Sequence, residues 1–82
     1  MGAKGEKMEF DFDKRVGMRI KQLRAERNLT QEMLAARMQV AGCDMTRSAL
    51  AKIEAGQRHI YLSEIKAFKQ VLRVDYEDLL GG

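Results

Sequence analysis

The feature that most constrains this chain is the absence of proline together with an abundance of helix-forming residues. None of its 82 residues is proline, and leucine, alanine, methionine, lysine, arginine, glutamine and glutamate are all frequent. These residues have high helix propensity, whereas proline in a helix interior costs about 3 kcal/mol. Inside the chain, glycine interrupts the pattern at Gly17, Gly42 and Gly56. The sequence therefore predicts an all-α fold built from short helices.

Apolar residues at helical spacing predict about five helices in a compact bundle. Helix one is predicted to begin after Asp13, a good N-cap, and to end near Asn28, which tolerates left-handed backbone. Helix two ends before Gly42 and helix three before Gly56. The predicted N-caps of the four later helices are Thr30, Thr46, Ser63 and Asp75. The predicted inward-facing residues are Val16, Ile20, Leu23, Leu34, Ala35, Met38, Leu50, Ile53, Ile65, Phe68, Leu72 and Leu79.

Residues 1–12 are predicted to form a flexible N-terminal arm in front of a helical domain at residues 13–80. The first seven residues are small or charged, which favours disorder. Phe10 and Phe12 then alternate with acidic residues, a period of two that is too short for an independent strand. We expect the two phenylalanines to pack either on the helical core or against a second subunit.

The positive charge of the chain is concentrated in its middle. Residues 14–73 contain thirteen Lys or Arg against five Asp or Glu, a net charge of +8. Residues 1–13 have a net charge of −2 and residues 74–82 of −3, which leaves +3 for the whole chain. A basic central segment is typical of nucleic-acid-binding domains, although soluble basic helices can show it too.

Several classes of protein are disfavoured. No apolar run approaches the roughly 20 residues needed to span a bilayer, so we expect no membrane association. A single cysteine suits a reducing cytoplasm. A chain of 82 residues is too small to enclose a water-free site, so we expect no enzyme activity, no cofactor and no small-molecule substrate.

Two residues, His59 and Cys43, are of types that can bind metals or undergo redox chemistry. His59 has no second histidine or paired cysteine nearby, so we expect it near a phosphate or in solvent and predict no metal site. Cys43 is either an ordinary loop thiol or a redox sensor whose pKa is lowered by the nearby Arg47.

The order of motifs from residue 29 to residue 56 is more specific than composition. The chain reads LTQEMLAARMQV, then AGCDM, then TRSALAKIEAG, followed by Arg58. This resembles the helix-turn-helix core of lambda-repressor/Cro-type regulators, the XRE family, and the resemblance covers roughly residues 14–80. It implies a lambda-repressor-like bundle in which helix three enters the major groove of double-stranded DNA.

The resemblance also implies roles for individual residues. Arg47, Ser48 and Lys52 correspond to the base-reading set of helix three. Arg24 and Glu54 are expected to form a structural ion pair between helices one and three. The full set of residues implied to contact DNA, including candidates for contacts to the phosphate backbone, is Gln31, Thr46, Arg47, Ser48, Lys52, Gln57 and Arg58.

The chain departs from the family pattern at two places. About five residues, Ala41 to Met45, are inserted between helices two and three. This segment either bulges into solvent or changes the tilt of helix three, and Asp44 would repel phosphate if it faced DNA. Arg73 stands where the family commonly has glycine at the end of helix four.

Two functions are compatible with these patterns. The first is a sequence-specific transcriptional regulator, a repressor, of which two copies form a homodimer on a two-fold DNA operator. The second is an adaptor or antitoxin-like partner that uses the same helical surface, or the arm containing Phe10 and Phe12, to bind another protein. Salt-dependent binding to random duplex DNA would separate them, because only the first function requires it.

Overall fold

The computed structural model describes the backbone of residues 2–81 and the side chains of residues 11–81. This part of the chain contains helices and no strand, which confirms the predicted all-α bundle. None of the described helices is long and apolar enough to cross a membrane. The five helices are α1 (Gly2–Glu26), α2 (Gln31–Val40), α3 (Arg47–Glu54), α4 (Leu62–Leu72) and α5 (Tyr76–Leu80).

The prediction that Asp13 is the N-cap of the first helix is wrong. Asp13 lies inside α1, and its buried carboxylate accepts a hydrogen bond from the backbone N–H of Ile60 at 3.4 Å. The same carboxylate contacts Nδ1 of His59. An acidic residue that resembles a cap in the sequence has its partners in the loop between α3 and α4, which the local sequence cannot reveal.

Phe12 is half-buried and packs against the hydrophobic core of its own chain. The side chains of residues 1–10, including Phe10, lie outside the described part of the structure. A flexible arm at residues 1–12 therefore stays a prediction.

Side-chain capping was predicted correctly for α2 and α3. The hydroxyl of Thr30 accepts from the backbone N–H of Met33 at 3.1 Å, and that of Thr46 accepts from Ala49 at 3.0 Å. Asp75 occupies the N-cap position of α5, as predicted. The prediction for α4 was wrong, because the N-cap is Tyr61 and Ser63 lies in the first turn.

The start of α4 is stabilised by a glutamate that reaches back along the chain. Glu64, the third residue of α4, accepts a hydrogen bond from the backbone N–H of Tyr61 at 2.9 Å. A carboxylate at this position satisfies a backbone donor at the helix start, so no capping hydroxyl is needed.

Left-handed backbone follows four of the five helices, including α2, after which Gly42 has φ of 90°. Asn28 follows α1 with φ of 56°, and Gly56 follows α3 with φ of 70°. Arg73 follows α4 with φ of 56°, at the position where glycine was expected. The guanidinium of Arg27 donates to the carbonyl of Leu72 at 2.8 Å and so satisfies one carbonyl at this helix end.

The core is formed by the predicted inner faces of the helices together with four residues that were not predicted, Leu29, Met45, Ile60 and Ala67. The ten largest fully buried side chains are Val16, Ile20, Leu34, Met38, Met45, Leu50, Ile53, Phe68, Leu72 and Leu79. Met45, from the inserted segment, was not among the predicted core residues. Each of the five helices therefore contributes to one continuous core.

The inserted segment is anchored and does not simply bulge into solvent. Met45 is fully buried, and its carbonyl accepts a hydrogen bond from the side-chain amide of Gln39 at 2.8 Å. The backbone N–H of Cys43 donates to the carbonyl of Met38 at 2.9 Å. Asp44 is exposed. The extra residues therefore extend the core between the two helices of the motif.

Helices α1 and α3 approach each other closely at Gly17. A Cβ atom placed on this glycine would lie 2.0 Å from the carbonyl oxygen of Ile53. This is well inside the van der Waals contact distance, so any larger residue at position 17 would push the two helices apart. Glycine at this position therefore sets the distance between α1 and the helix that carries the predicted base-reading residues.

We expect Gly17→Ala to destabilise the domain by about 1–3 kcal/mol or more, because the added methyl group overlaps the backbone of Ile53. Helix propensity alone predicts the opposite effect, a gain in stability of about 1 kcal/mol, because alanine favours the helix more than glycine does. Urea unfolding of the two proteins distinguishes these effects. An equal or higher midpoint for the variant would show that the close approach is not required.

Candidate nucleic-acid interface

The outer face of α3 presents a set of polar and basic side chains to solvent. Arg47, Ser48 and Lys52 are exposed, whereas Leu50, Ile53 and Glu54 on the other side of the same helix are buried. Among the side chains that the structure describes, neither Arg47 nor Lys52 forms an ion pair. Both cations are therefore available to an external partner.

Thr46 lies at the start of this face. Its exposed side chain caps α3 through the hydrogen bond to Ala49, and this bond uses the hydroxyl oxygen as an acceptor. The hydroxyl hydrogen remains available to donate. Thr46 can therefore cap the helix and donate to an external acceptor at the same time.

The beginnings of α2 and α3 lie on either side of an open groove. Gln31, the first residue of α2, and Arg47, the first residue of α3, both line it. Two of the predicted DNA-contacting residues are thus brought together although sixteen positions separate them in the sequence. The complete lining is Arg24, Thr30, Gln31, Glu32 and Arg47.

Arg24 and Glu54 form a bidentate ion pair between α1 and α3. Nε of Arg24 lies 2.7 Å from Oε2 of Glu54, and Nη2 lies 3.0 Å from Oε1. Nη1 of Arg24 donates to the carbonyl of Leu29 at 2.8 Å. The Arg24 side chain is 14% exposed and that of Glu54 is 3% exposed, and the hydrogen bond to Glu54 raises the pKa of Arg24.

Gln31 is a third member of this network. Its side-chain amide donates to Oε1 of Glu54 at 3.1 Å. One amide hydrogen is used in this contact, so a second hydrogen and the carbonyl oxygen remain for an external partner. Glu54 therefore links α1, α2 and α3 through two side chains, a role for Gln31 that sequence reasoning did not include.

Gln57 and Arg58 follow α3 but differ in their environment. Gln57 is exposed, whereas Arg58 is half-buried and bonded within the fold. Its two terminal nitrogens contact Glu64 at 3.0 and 2.7 Å, and Nη1 also donates to the carbonyl of His59 at 2.6 Å. The hydrogen bond to Glu64 raises the pKa of Arg58.

Glu64 was missed by sequence reasoning. Burial by itself would raise the pKa of this carboxyl, but hydrogen bonds from Arg58 and from the Tyr61 backbone outweigh burial and lower it. The sequence signal for this pair was weak: Glu64 follows Arg58 by six positions and stands third in its helix. That signal becomes specific only when the loop between them is folded.

The structure shows the surroundings of the two residues with possible chemistry of their own, His59 and Cys43. His59 was expected near a phosphate or in solvent; its side chain is 64% exposed, and its Nδ1 contacts the carboxylate of Asp13. Cys43 is half-buried, and burial, followed by the nearby carboxylates of Glu64 and Asp44, raises its pKa. The raised pKa is opposite to the lowered value that the redox-sensor alternative required, and it leaves Cys43 as an ordinary loop thiol. No group of three or more potential metal ligands occurs among the described residues.

Comparison with known proteins identifies the family. A family model described as helix-turn-helix matches residues 20–79. The chain belongs to this helix-turn-helix family. The resemblance to XRE-type, lambda-repressor-like DNA-binding domains is thereby confirmed, and the face of α3 described above belongs to the second helix of the motif.

A solved structure supports the same assignment. The restriction-modification controller protein C.AhdI from Aeromonas hydrophila has 28% sequence identity and a TM-score of 0.72. The alignment covers 82% of this chain and 94% of the controller protein. No curated protein matches the chain. The helix-turn-helix domain is thus similar over most of its length to a regulator of known fold.

The network around Glu54 can be tested by unfolding measurements on three variants. Arg24→Ala should cost about 3–5 kcal/mol, because it leaves a buried carboxylate without its cation. Glu54→Ala should cost less, since Arg24 is partly exposed and keeps its bond to Leu29. The double variant should lose less than the sum of the two single losses.

Arg47→Ala is the control for these measurements. This arginine is exposed and unpaired among the described side chains, so its removal should change stability by no more than about 0.5 kcal/mol. Additive losses of less than about 1 kcal/mol for Arg24 and Glu54 would mean that the pair merely faces water.

Proposed function

We propose that this helix-turn-helix domain binds double-stranded DNA at specific sequences and represses transcription from them, with α3 lying in the major groove. The observation that carries the proposal is the exposed face of α3, whose Arg47, Ser48 and Lys52 project from a helix held rigidly by its opposite face. The similarity to a restriction-modification controller supports a role in gene regulation. Such a regulator would act in the cytoplasm, in contact with bacterial DNA.

The proposed contacts follow from donor chemistry and position. Arg47 can bind guanine through two hydrogen bonds, and Ser48 and Lys52 can reach base edges or phosphates. Gln31 lines the groove at the start of α2, and Thr46 is the N-cap of α3; backbone amides at helix starts attract anions. Gln57 and Arg58, directly after α3, are proposed to contact the phosphate backbone.

We further propose that two copies of the domain act together as a homodimer. One helix-turn-helix domain reads only a few base pairs, which is too little to select a site in a genome. A two-fold operator with half-sites about one helical turn apart would allow two copies to read twice as much sequence. Transcription would be repressed when the homodimer occupies that operator.

The alternative is an adaptor that binds another protein with the same helical surface. The unpaired cations of α3 and the net charge of +8 over residues 14–73 favour a polyanionic partner instead. Family membership points in the same direction, since the matched model is that of a DNA-binding motif.

Binding to a labelled random duplex, followed by fluorescence anisotropy, tests the proposed function. We expect a Kd of about 10⁻⁴–10⁻⁶ M at physiological salt, and tighter binding at lower salt because phosphate contacts release counterions. An unrelated acidic polypeptide of equal charge serves as the competitor control. Failure to bind duplex DNA even at low salt would overturn the proposal and favour the adaptor.

Selection of binding sites from random duplexes tests the assignment of base contacts and the homodimer. The selected site should be an inverted repeat, and Arg47→Ala should weaken binding to it by about 1–3 kcal/mol and relax one base preference in each half. Arg58→Ala should weaken binding to all sequences alike. An asymmetric selected site, or equal losses for Arg47→Ala on selected and random DNA, would contradict these roles.

A further inference from the structure

Arg58 differs from the other proposed DNA contacts because most of its side chain is already bonded inside the protein. Its side chain is 26% exposed, whereas Arg47 and Lys52 are exposed and form no ion pair among the described residues. It also lies over the ring of Tyr61, 5.8 Å from the ring centre. The backbone around it leads directly from the end of α3 to the start of α4.

The hydrogen bonds of Arg58 occupy one end of the guanidinium and leave one edge open. Both hydrogens of Nη1 are used, one by the carbonyl of His59 and one by Oε1 of Glu64. One hydrogen of Nη2 is used by Oε2 of Glu64. An arginine has five N–H donors, so the Nε hydrogen and the second Nη2 hydrogen remain. These two hydrogens point in the same direction along one edge of the planar group.

An open edge with two parallel donors matches a phosphate group. Two N–H donors of a guanidinium can bind two phosphate oxygens at once, which gives direction as well as strength. An arginine side chain that has no partner within the protein would lose rotational freedom when it makes this contact. At Arg58 that loss has already occurred on folding, because the other edge of the group is held by Glu64.

Glu64 is itself held in place. Its side chain is 10% exposed, and Oε1 accepts from the backbone N–H of Tyr61 in addition to Arg58. It is anchored on α4, a helix of 11 residues that is packed into the core through Phe68 and Leu72. The orientation of Arg58 is therefore set by a rigid element rather than by a flexible loop.

We propose that Glu64 is a positioning residue for DNA binding, which orients Arg58 so that its Nε–Nη2 edge is presented to a backbone phosphate. The proposal rests on the proposed function, in which Arg58 contacts the phosphate backbone. Glu64 touches no DNA and cancels the charge of Arg58. Its contribution is therefore geometric, and it is separable from the electrostatic contribution of Arg47 and Lys52.

Charge-conserving variants isolate this geometry. Glu64→Asp keeps the negative charge but shortens the side chain by one methylene, so it cannot hold both terminal nitrogens of Arg58 and the Tyr61 backbone together. Arg58→Lys keeps the positive charge but removes the two-donor edge. Glu26→Asp, at the exposed end of α1, is the matched control for the loss of one methylene. Thermal melts establish that each variant is folded under the binding conditions.

Duplex binding by anisotropy, measured over a range of salt concentrations, gives the readout. Glu64→Asp and Arg58→Lys should each weaken binding about tenfold on selected and random duplexes alike, which is the loss of a charge-assisted hydrogen bond. The dependence on salt should keep the wild-type slope, since the net charge is unchanged. In an Arg58→Ala background, Glu64→Asp should have no further effect, and Glu26→Asp should bind as the wild type does.

Two results would overturn the proposal. One is folded Glu64→Asp protein that binds duplex DNA with wild-type affinity. The other is an equal loss from Glu64→Asp with and without Arg58, which would show that Glu64 does not act through that residue. If the wild-type protein itself fails to bind duplex DNA, the proposed function fails first, and the positioning role fails with it.

Discussion

The contact between α1 and α3 is the interaction on which the rest of the structure depends. At one point the two backbones meet at Gly17 and Ile53, where there is no room for a side chain. At a second point, Arg24 and Glu54 join the same two helices through a bidentate ion pair, and the carboxylate of Glu54 is almost fully buried. Steric contact sets the distance between the helices, and the ion pair restricts their rotation, so α3 has one defined position.

This arrangement assigns different tasks to opposite sides of one short helix. The inner side of α3 carries Leu50, Ile53 and Glu54 into the core, and the outer side presents Arg47 and Lys52 to solvent. A helix of eight residues has little stability by itself, so its conformation depends on tertiary packing. Stability and the proposed DNA recognition are therefore coupled, since any change that loosens the inner side of α3 also misplaces its outer side.

Local sequence signals were reliable where the physics is local and failed where a partner lies elsewhere in the fold. Thr30 and Thr46 cap their helices because each hydroxyl reaches a backbone N–H three residues away. Asp13 has the same capping chemistry in the sequence, but its partners are at His59 and Ile60. The set Arg47, Ser48 and Lys52 could be predicted as an exposed face from the helical period and the family resemblance. The bond between Gln31 and Glu54 could not, because it depends on how α2 and α3 cross.

The sequence by itself determined the all-α class, the number of helices, most of the core and membership of the helix-turn-helix family. These follow from helix propensity, apolar periodicity and the order of short motifs, all of which act over a few neighbouring residues. Only the tertiary structure decided that Met45 belongs to the core, and that Cys43 has a raised pKa. It alone decided that Arg58 is bonded to Glu64. Burial and ion pairing are set by which segments meet in space, and a linear pattern carries no information on those distances.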